Sequence, residues 1–163
     1  MKRILVSACL LGRPVRYDGS DNAIGEDQLA LWEEQGRVVP FCPEVAGGLS
    51  TPRPPAEIID GGGGEVLDGR GRLETDEGED VTDAFLAGAE GALQAGLEAG
   101  AAAAILKEGS PSCGSGYIYD GTFSGTKVDG ARGVTAALLE RHGIPVFAEH
   151  ELDDVARLLA ARP

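Results

Sequence analysis

The chain has 163 residues, enough for one globular domain that buries about 70% of the surface its unfolded form exposes. Its formal net charge of −13 disfavours a large nucleic-acid-binding surface, because such surfaces neutralise phosphates with Lys and Arg. No apolar run reaches the roughly 20 residues of a membrane span, and the one after Met-Lys-Arg is too short for a signal peptide. Three cysteines, an odd number, argue against a disulfide framework, so we predict a cytoplasmic protein with free thiols.

Short apolar runs alternate with segments of helical periodicity along the whole chain. In chain order, the expected elements are strand 3–7, helix 26–37, strand 38–41, helix 80–100, strand 101–107, helix 134–144, strand 145–149 and helix 151–162. Strands that alternate with amphipathic helices form mostly parallel sheets with helices on both faces. We therefore predict one three-layer, Rossmann-like α/β domain over residues 1–163.

Glycine and proline separate these elements. The expected irregular loops are residues 10–25, 45–55 and 109–133. The last of these is long for a compact domain, and a loop of that length is usually functional.

A glycine-rich region at residues 56–75 is predicted to form small hairpin strands beside the main sheet. Its three short apolar runs lie around Ile58-Ile59, Val66-Leu67 and Arg72-Leu73. The four glycines at 61–64 are interpreted as a flexible turn, because neither a helix nor a phosphate-binding Lys-Ser/Thr pair is expected after them.

The three cysteines share one local context, a loop that follows a predicted strand. Cys9 follows the first strand, Cys42 the second, and Cys113 the strand at 101–107. Parallel strands place their carboxyl ends at the same edge of a sheet, where ligands bind in such folds. We therefore expect the three thiols to converge in space, on loops of the kind that carry ligand-binding groups.

Metal ligation is the joint role that three converging thiols suggest. Their spacing matches neither the Cys-x-x-Cys pairs of zinc ribbons nor the cysteine runs of ferredoxins. His142 and His150 lie away from the predicted strand ends and are interpreted as surface residues. Three thiolates without a fourth protein ligand would leave one metal position open, as catalytic sites do, and thiolates favour zinc, copper(I) or iron–sulfur clusters.

Three pairs of motifs occur in order over nearly the whole chain. They are SACLLG with VRYDG (15–19), FCPEVAGGL (41–49) with TPRPPAEI (51–58), and SPSCGSG (110–116) with GVTAALL (133–139). Together they resemble the thiouracil desulfidase family of short, single-domain bacterial proteins. The resemblance implies a 4Fe–4S cluster ligated by Cys9, Cys42 and Cys113, whose remaining iron binds the sulfur of a thiolated pyrimidine. The implied products are uracil and sulfide, formed without net redox change.

The resemblance also implies roles for side chains beside the cysteines. Glu44, in the Cys-Pro-Glu motif, corresponds to the acidic catalytic residue of the family, which would activate water or move a proton on the ring. A serine of the Ser-Pro-Ser-Cys motif is also implicated, with Ser110 as the first choice and Ser112 as the second.

Four more residues near the motifs are candidates for binding the substrate. Arg53 and Lys107 could hold an anionic part of it, although an ion-pair role fits them equally well. Tyr17 and Asp18 follow Cys9 closely in the sequence and are expected to line the pocket. The expected partner is a small thiolated nucleobase, with no nucleic-acid polymer and no membrane.

Two other functions remain compatible with these residues. A non-catalytic metal- or sulfur-binding module would hold metal without releasing sulfide from a thiobase. A metal-free thiol enzyme would use one nucleophilic cysteine, with Cys113 as the candidate, but the chain has no Cys-x-x-Cys pair and no well-placed histidine.

Overall fold

The computed structural model describes residues 1–161. The strands are β1 (Arg3–Ser7), β2 (Val38–Phe41), β3 (Ala56–Ile58), β4 (Leu73–Thr75), β5 (Ala101–Leu106), β6 (Tyr117–Tyr119), β7 (Lys127–Asp129) and β8 (Val146–Ala148). The helices are α1 (Asp27–Glu34), α2 (Pro43–Ala46), α3 (Gly63–Leu67), α4 (Thr82–Ala99), α5 (Val134–Arg141) and α6 (Leu152–Ala160). The expected helix at 151–162 therefore ends at Ala160, and residue 162 lies outside the described residues.

A four-stranded parallel sheet forms the centre of the fold, in the order β2-β1-β5-β8. Its two central strands are apolar on both faces, with Ile4, Leu5 and Val6 of β1 fully buried. Both faces must therefore be covered by helices, as in other parallel sheets. Helices α1 and α6 cover one face and α4 and α5 the other. The predicted α/β class, with helices on both faces of a parallel sheet, is confirmed.

The glycine-rich region contains a hairpin and a helix. β3 and β4 pair antiparallel, as predicted, with Ile58 opposite Leu73. The Val66-Leu67 run, however, lies in helix α3 and not in a strand, and α3 begins within the four glycines that were expected to be a flexible turn. Gly63 packs so closely against the carbonyl of Gly133 that a Cβ would overlap it. Glycine thus serves close helix packing here, which local propensity does not show.

Two predicted loops also contain regular structure. The segment 45–55 was expected to be irregular, but α2 covers its first two residues because Pro43 occupies the first helical turn, where proline is tolerated. The long loop at 109–133 folds back on itself as the antiparallel hairpin β6–β7, in which Ile118 is buried. Three-residue strands of this kind carry too little periodic pattern to be recognised from the sequence. Within residues 1–161, no helix is both long enough and apolar enough to span a bilayer.

Helix α2 packs backbone to backbone against α4. A Cβ at Gly88 of α4 would overlap the carbonyl oxygen of Pro43, and a Cβ at Gly47 would overlap the carbonyl oxygen of Ala84. Because backbone atoms cannot move aside as the end of a side chain can, both positions require glycine. Helix α2 follows Cys42 directly, so this contact fixes the segment that follows β2.

The variant G88A should therefore be destabilised, by about 2–3 kcal/mol, because the added methyl group pushes α2 away from α4. The matched control is G96A in the same helix, where a Cβ would meet side-chain atoms and no backbone atom: the terminal methyl group of Ile144 at 3.1 Å and the Cβ of Ala101 at 3.9 Å. There the gain in helix propensity, about 1 kcal/mol, offsets the crowding. Urea unfolding of both variants measures the difference; equal stabilities would contradict the close packing.

Candidate functional site

The three cysteines lie on one cavity at the carboxyl edge of the sheet. β1 ends at Ser7 and continues into a 3₁₀ turn that carries Cys9, while Cys42 follows β2 directly. Cys113 lies farther along the chain, in the loop between β5 and β6. The cavity has a volume of about 380 Å³, and all three cysteines line it. The expected convergence of the three loops is therefore observed.

Burial dominates the electrostatics of the thiols and raises the pKa of all three. Hydrogen bonding partly offsets this effect: the side chain of Asn22 lowers the pKa of Cys9, and the backbone of Val45, in α2, lowers that of Cys42. Cys113 is 5% exposed, and the nearby Glu44 carboxylate raises its pKa further. An activated nucleophilic cysteine has a lowered pKa, so none of the three resembles one. Thiols of this kind become thiolates when a metal binds them.

Glu44 lies in the first turn of α2 and forms an ion pair with Arg53. The Arg53 Nε donates to the Glu44 Oε1 at 3.2 Å, and the two side chains are 6% and 20% exposed, respectively. Burial raises the pKa of Glu44, while the charge and hydrogen bond of Arg53 lower it; the net direction is upward. The rest of the guanidinium donates to the carbonyl oxygens of Ser50 and Val15 and to Thr51 Oγ1. Arg53 is therefore held in an ion pair with Glu44, which is the second of the two roles expected for it.

The two candidate serines have different environments. Ser110 lines the cavity, and its Oγ accepts hydrogen bonds from the backbone N–H groups of Ser112 (3.1 Å) and Cys113 (3.2 Å). Ser112 is fully buried away from the cavity, and its Oγ lies 2.7 Å from the Thr135 Oγ1 of α5. The local turn directs the two hydroxyl groups in different directions. Of these two serines, Ser110 is therefore the one that can contact a ligand in the cavity.

The four substrate-binding candidates also differ. Tyr17 lines the cavity and is 40% exposed. Asp18 does not line it, contrary to expectation, because its carboxylate turns back to accept from the backbone N–H and the hydroxyl of Ser20. Lys107 also lines the cavity. Its Nζ lies 2.8 Å from the Glu149 Oε2, so the lysine charge is paired with a carboxylate. The two histidines are exposed, as predicted.

Glu108 organises the loop that carries Cys113, a role that sequence reasoning missed. Its Oε1 accepts hydrogen bonds from the backbone N–H groups of Ser115, Gly116 and Tyr117. Burial raises the pKa of Glu108, but these hydrogen bonds outweigh it, so the pKa is lowered. The available signal was an acidic residue beside a Gly/Ser-rich loop whose backbone donors need an acceptor. Further cavity-lining residues that were not singled out include Ser7, Arg16, Asn22, Glu57, Tyr117 and Tyr119.

Comparison with known proteins identifies the family. The family model of 2-thiouracil desulfurase matches residues 4–151. The chain belongs to this family. A relative from Bacillus subtilis (strain 168), named uncharacterized protein YbbK, is 51% identical over 152 residues, which cover 93% of this chain and 99% of the relative. The family resemblance stated from the motifs is confirmed.

A solved structure of the [4Fe–4S]-dependent thiouracil desulfidase TudS superposes with a TM-score of 0.89 at 51% sequence identity. The match covers 98% of this chain and 99% of that one. The homologue is thus an enzyme and depends on a 4Fe–4S cluster, as expected for the family. The fold is shared over essentially the full length of both chains.

The donor set of the cavity fits such a cluster better than it fits a single metal ion. Within residues 1–161, no three His, Cys, Asp or Glu side chains converge closely enough to hold one ion. A cluster needs less convergence, because each thiolate binds a different iron. Three free cysteines on one cavity meet that requirement.

Proposed function

We propose that this protein is an iron–sulfur-dependent desulfidase that hydrolyses a thiolated pyrimidine such as thiouracil. Thiouracil and water give uracil and hydrogen sulfide: the C=S bond is replaced by C=O from water, with no change in redox state. The proposal is carried by three free cysteines and a buried carboxylate on one cavity, in a chain 51% identical to a [4Fe–4S]-dependent thiouracil desulfidase. We further propose a cytoplasmic location, where thiols stay reduced.

Cys9, Cys42 and Cys113 would hold the cluster. When bound, it would supply an iron without a protein ligand, able to bind the soft thiocarbonyl sulfur and to act as a Lewis acid on the C=S bond. The chain contributes three thiolates from three neighbouring loops, two of them beginning directly after a strand. It also surrounds them with a cavity that is lined by both polar and apolar side chains.

Glu44 would be the general base that takes a proton from the attacking water. A carboxyl group whose pKa is raised by burial is a better proton acceptor near neutral pH than an ordinary glutamate. The hydrogen bond from Arg53 holds one carboxylate oxygen, which leaves the other to face water. Arg53 is therefore proposed as a positioning residue.

Ser110 would act as a hydrogen-bond donor to the substrate or to the water. Its oxygen already accepts two backbone hydrogen bonds, so its proton is the group that it can offer to a ligand. The polarising effect of those two bonds makes it a stronger donor.

The cavity suits a planar ring. Tyr17, Tyr117 and Tyr119 line it and could pack against the face or edge of a pyrimidine. Arg53 and Lys107 are each paired with a glutamate, so neither offers a free charge to a phosphate. Arg16 also lines the cavity and forms no salt bridge among the described residues, so an anionic group on the substrate would meet this side chain.

Protein purified without oxygen should be brown and contain iron and acid-labile sulfide. Each of the variants C9S, C42S and C113S should lose the colour and most of the iron, because the cluster then has one ligand fewer. Iron and sulfide analysis with visible absorbance checks this. A colourless wild-type protein that holds zinc instead, or metal-loaded protein that releases no sulfide from 2-thiouracil or 4-thiouracil, would contradict the proposed function.

The variant E44Q should retain the cluster but lose about 10²- to 10⁴-fold in kcat, because the amide cannot accept the proton from water. Glutamine can still accept the hydrogen bond from Arg53, so the fold of α2 is preserved. The exposed Glu90 of α4 offers the control variant E90Q, which carries the same chemical change. Sulfide release per iron-loaded molecule is the measurement; equal activity of E44Q and E90Q would exclude Glu44 as the base.

The variants S110A and S112A should separate the two serines. S110A should lose about 10²-fold in sulfide release per loaded molecule, the usual effect of removing a donor that faces the reacting group. S112A should keep its activity but lose about 1–3 kcal/mol of unfolding free energy, because the Thr135 hydroxyl is left buried without its partner. The reverse pattern, with activity lost only in S112A, would assign the role to Ser112.

A further inference from the structure

A buried serine at the carboxyl end of β1 contacts one of the three cysteines. Ser7 is 3% exposed, and its Oγ lies 3.7 Å from the Sγ of Cys113. The same Oγ lies 3.1 Å from the backbone nitrogen of Lys107, directly after β5. One hydroxyl group therefore connects the end of β1, the end of β5 and the loop that carries Cys113.

The position of Ser7 follows from the strand pairing. The register of β1 with β5 ends at the pair Val6 and Ile105, one residue before Ser7. The Ser7 hydroxyl takes the place of a backbone carbonyl at this point and accepts the next N–H group, that of Lys107. Its location beside the cavity is thus fixed by the two central strands of the sheet.

Donor and acceptor capacities fix the direction of the second hydrogen bond. A backbone N–H can only donate, so Lys107 occupies a lone pair of the Ser7 oxygen. A thiolate sulfur has no proton and can only accept. The single Ser7 proton is therefore available to the Cys113 sulfur.

We propose that Ser7 is a positioning residue for the cluster: its hydroxyl donates a hydrogen bond to the Cys113 thiolate and holds that sulfur in place. The inference rests on the proposed function, because it requires Cys113 to be a cluster ligand. Groups that hydrogen-bond to ligands orient them, and hydrogen bonds to ligand sulfurs help to set the reduction potential of a cluster. The other two cysteines have different hydrogen-bonding neighbours, which are the Asn22 side chain for Cys9 and the Val45 backbone for Cys42.

The test compares S7A and S7T with the wild type, all loaded with iron and sulfide in the absence of oxygen. The matched control is S115A. Ser115 is also buried, lies in the same loop as Cys113, and has a hydroxyl without a hydrogen-bond partner among the described residues. Three properties are measured: the reduction potential, the rate of cluster loss to an iron chelator, and the Fe–S(Cys) stretching bands in H₂O and D₂O by resonance Raman spectroscopy.

We expect S7A to have a more negative potential, to lose its cluster at least about tenfold faster, and to lack a deuterium-sensitive Fe–S(Cys) band that the wild type shows. S7T, which keeps a hydroxyl, should restore all three properties, and S115A should match the wild type. A purely structural role of Ser7 would not change the deuterium sensitivity of the Fe–S(Cys) bands.

The inference is overturned if S7A keeps the wild-type potential and rate of cluster loss, if S115A changes as much as S7A, or if loaded S7T behaves as S7A. The wild type alone also tests it, because a loaded cluster without any deuterium-sensitive Fe–S(Cys) band overturns it even where S7A does not fold. A wild-type chain that binds no iron would overturn the proposed function as well, so the two failures are distinguishable.

Discussion

The parallel pairing of β1 with β2 on one side and with β5 on the other is the constraint on which the site depends. Ile4 pairs with Val38 in one direction and with Ala103 in the other, so the three strands end at one edge of the sheet. Cysteines that are far apart in the sequence thereby reach one cavity. If β2 ran antiparallel, Cys42 would lie at the opposite edge and the three thiols could not meet.

Close contacts between backbones hold the loops of the site in place. α2, which carries Glu44, rests on α4 through Gly88, and the Ser-Pro-Ser-Cys loop rests on the start of α5 through Gly133. The Thr135 backbone N–H also donates to the carbonyl oxygen of Ser112, at 2.8 Å. These contacts explain why the GVTAALL segment occurs together with the cysteine motif. Its first residues pack against the Ser-Pro-Ser-Cys loop, and the helix that they begin, α5, packs in the core.

The placement of the cysteines and the α/β class could be predicted because they depend on order along the chain. Apolar runs mark the strands, and a residue that follows a strand must lie at the carboxyl edge. Helix α3 and the hairpin β6–β7 could not be predicted, because their stability comes from packing against distant segments: Gly63 against Gly133, and Ile118 in the cluster that contains Phe85. Propensity alone indicated a turn and a loop there.

The sequence by itself determined the family, the fold class and the convergence of the three cysteines at one edge of the sheet, because each of these is carried by local motifs and by periodicity. Only the tertiary structure decided what each polar neighbour does. Arg53 pairs with Glu44, and Ser7 at the end of β1 contacts Cys113 in the loop after β5. Ser110 faces the cavity, whereas Ser112 faces the core. The physical reason is that a hydrogen bond tolerates only a few tenths of an ångström of variation in the distance between its donor and acceptor. Here these atoms belong to segments remote in the chain, and no local pattern specifies their separation.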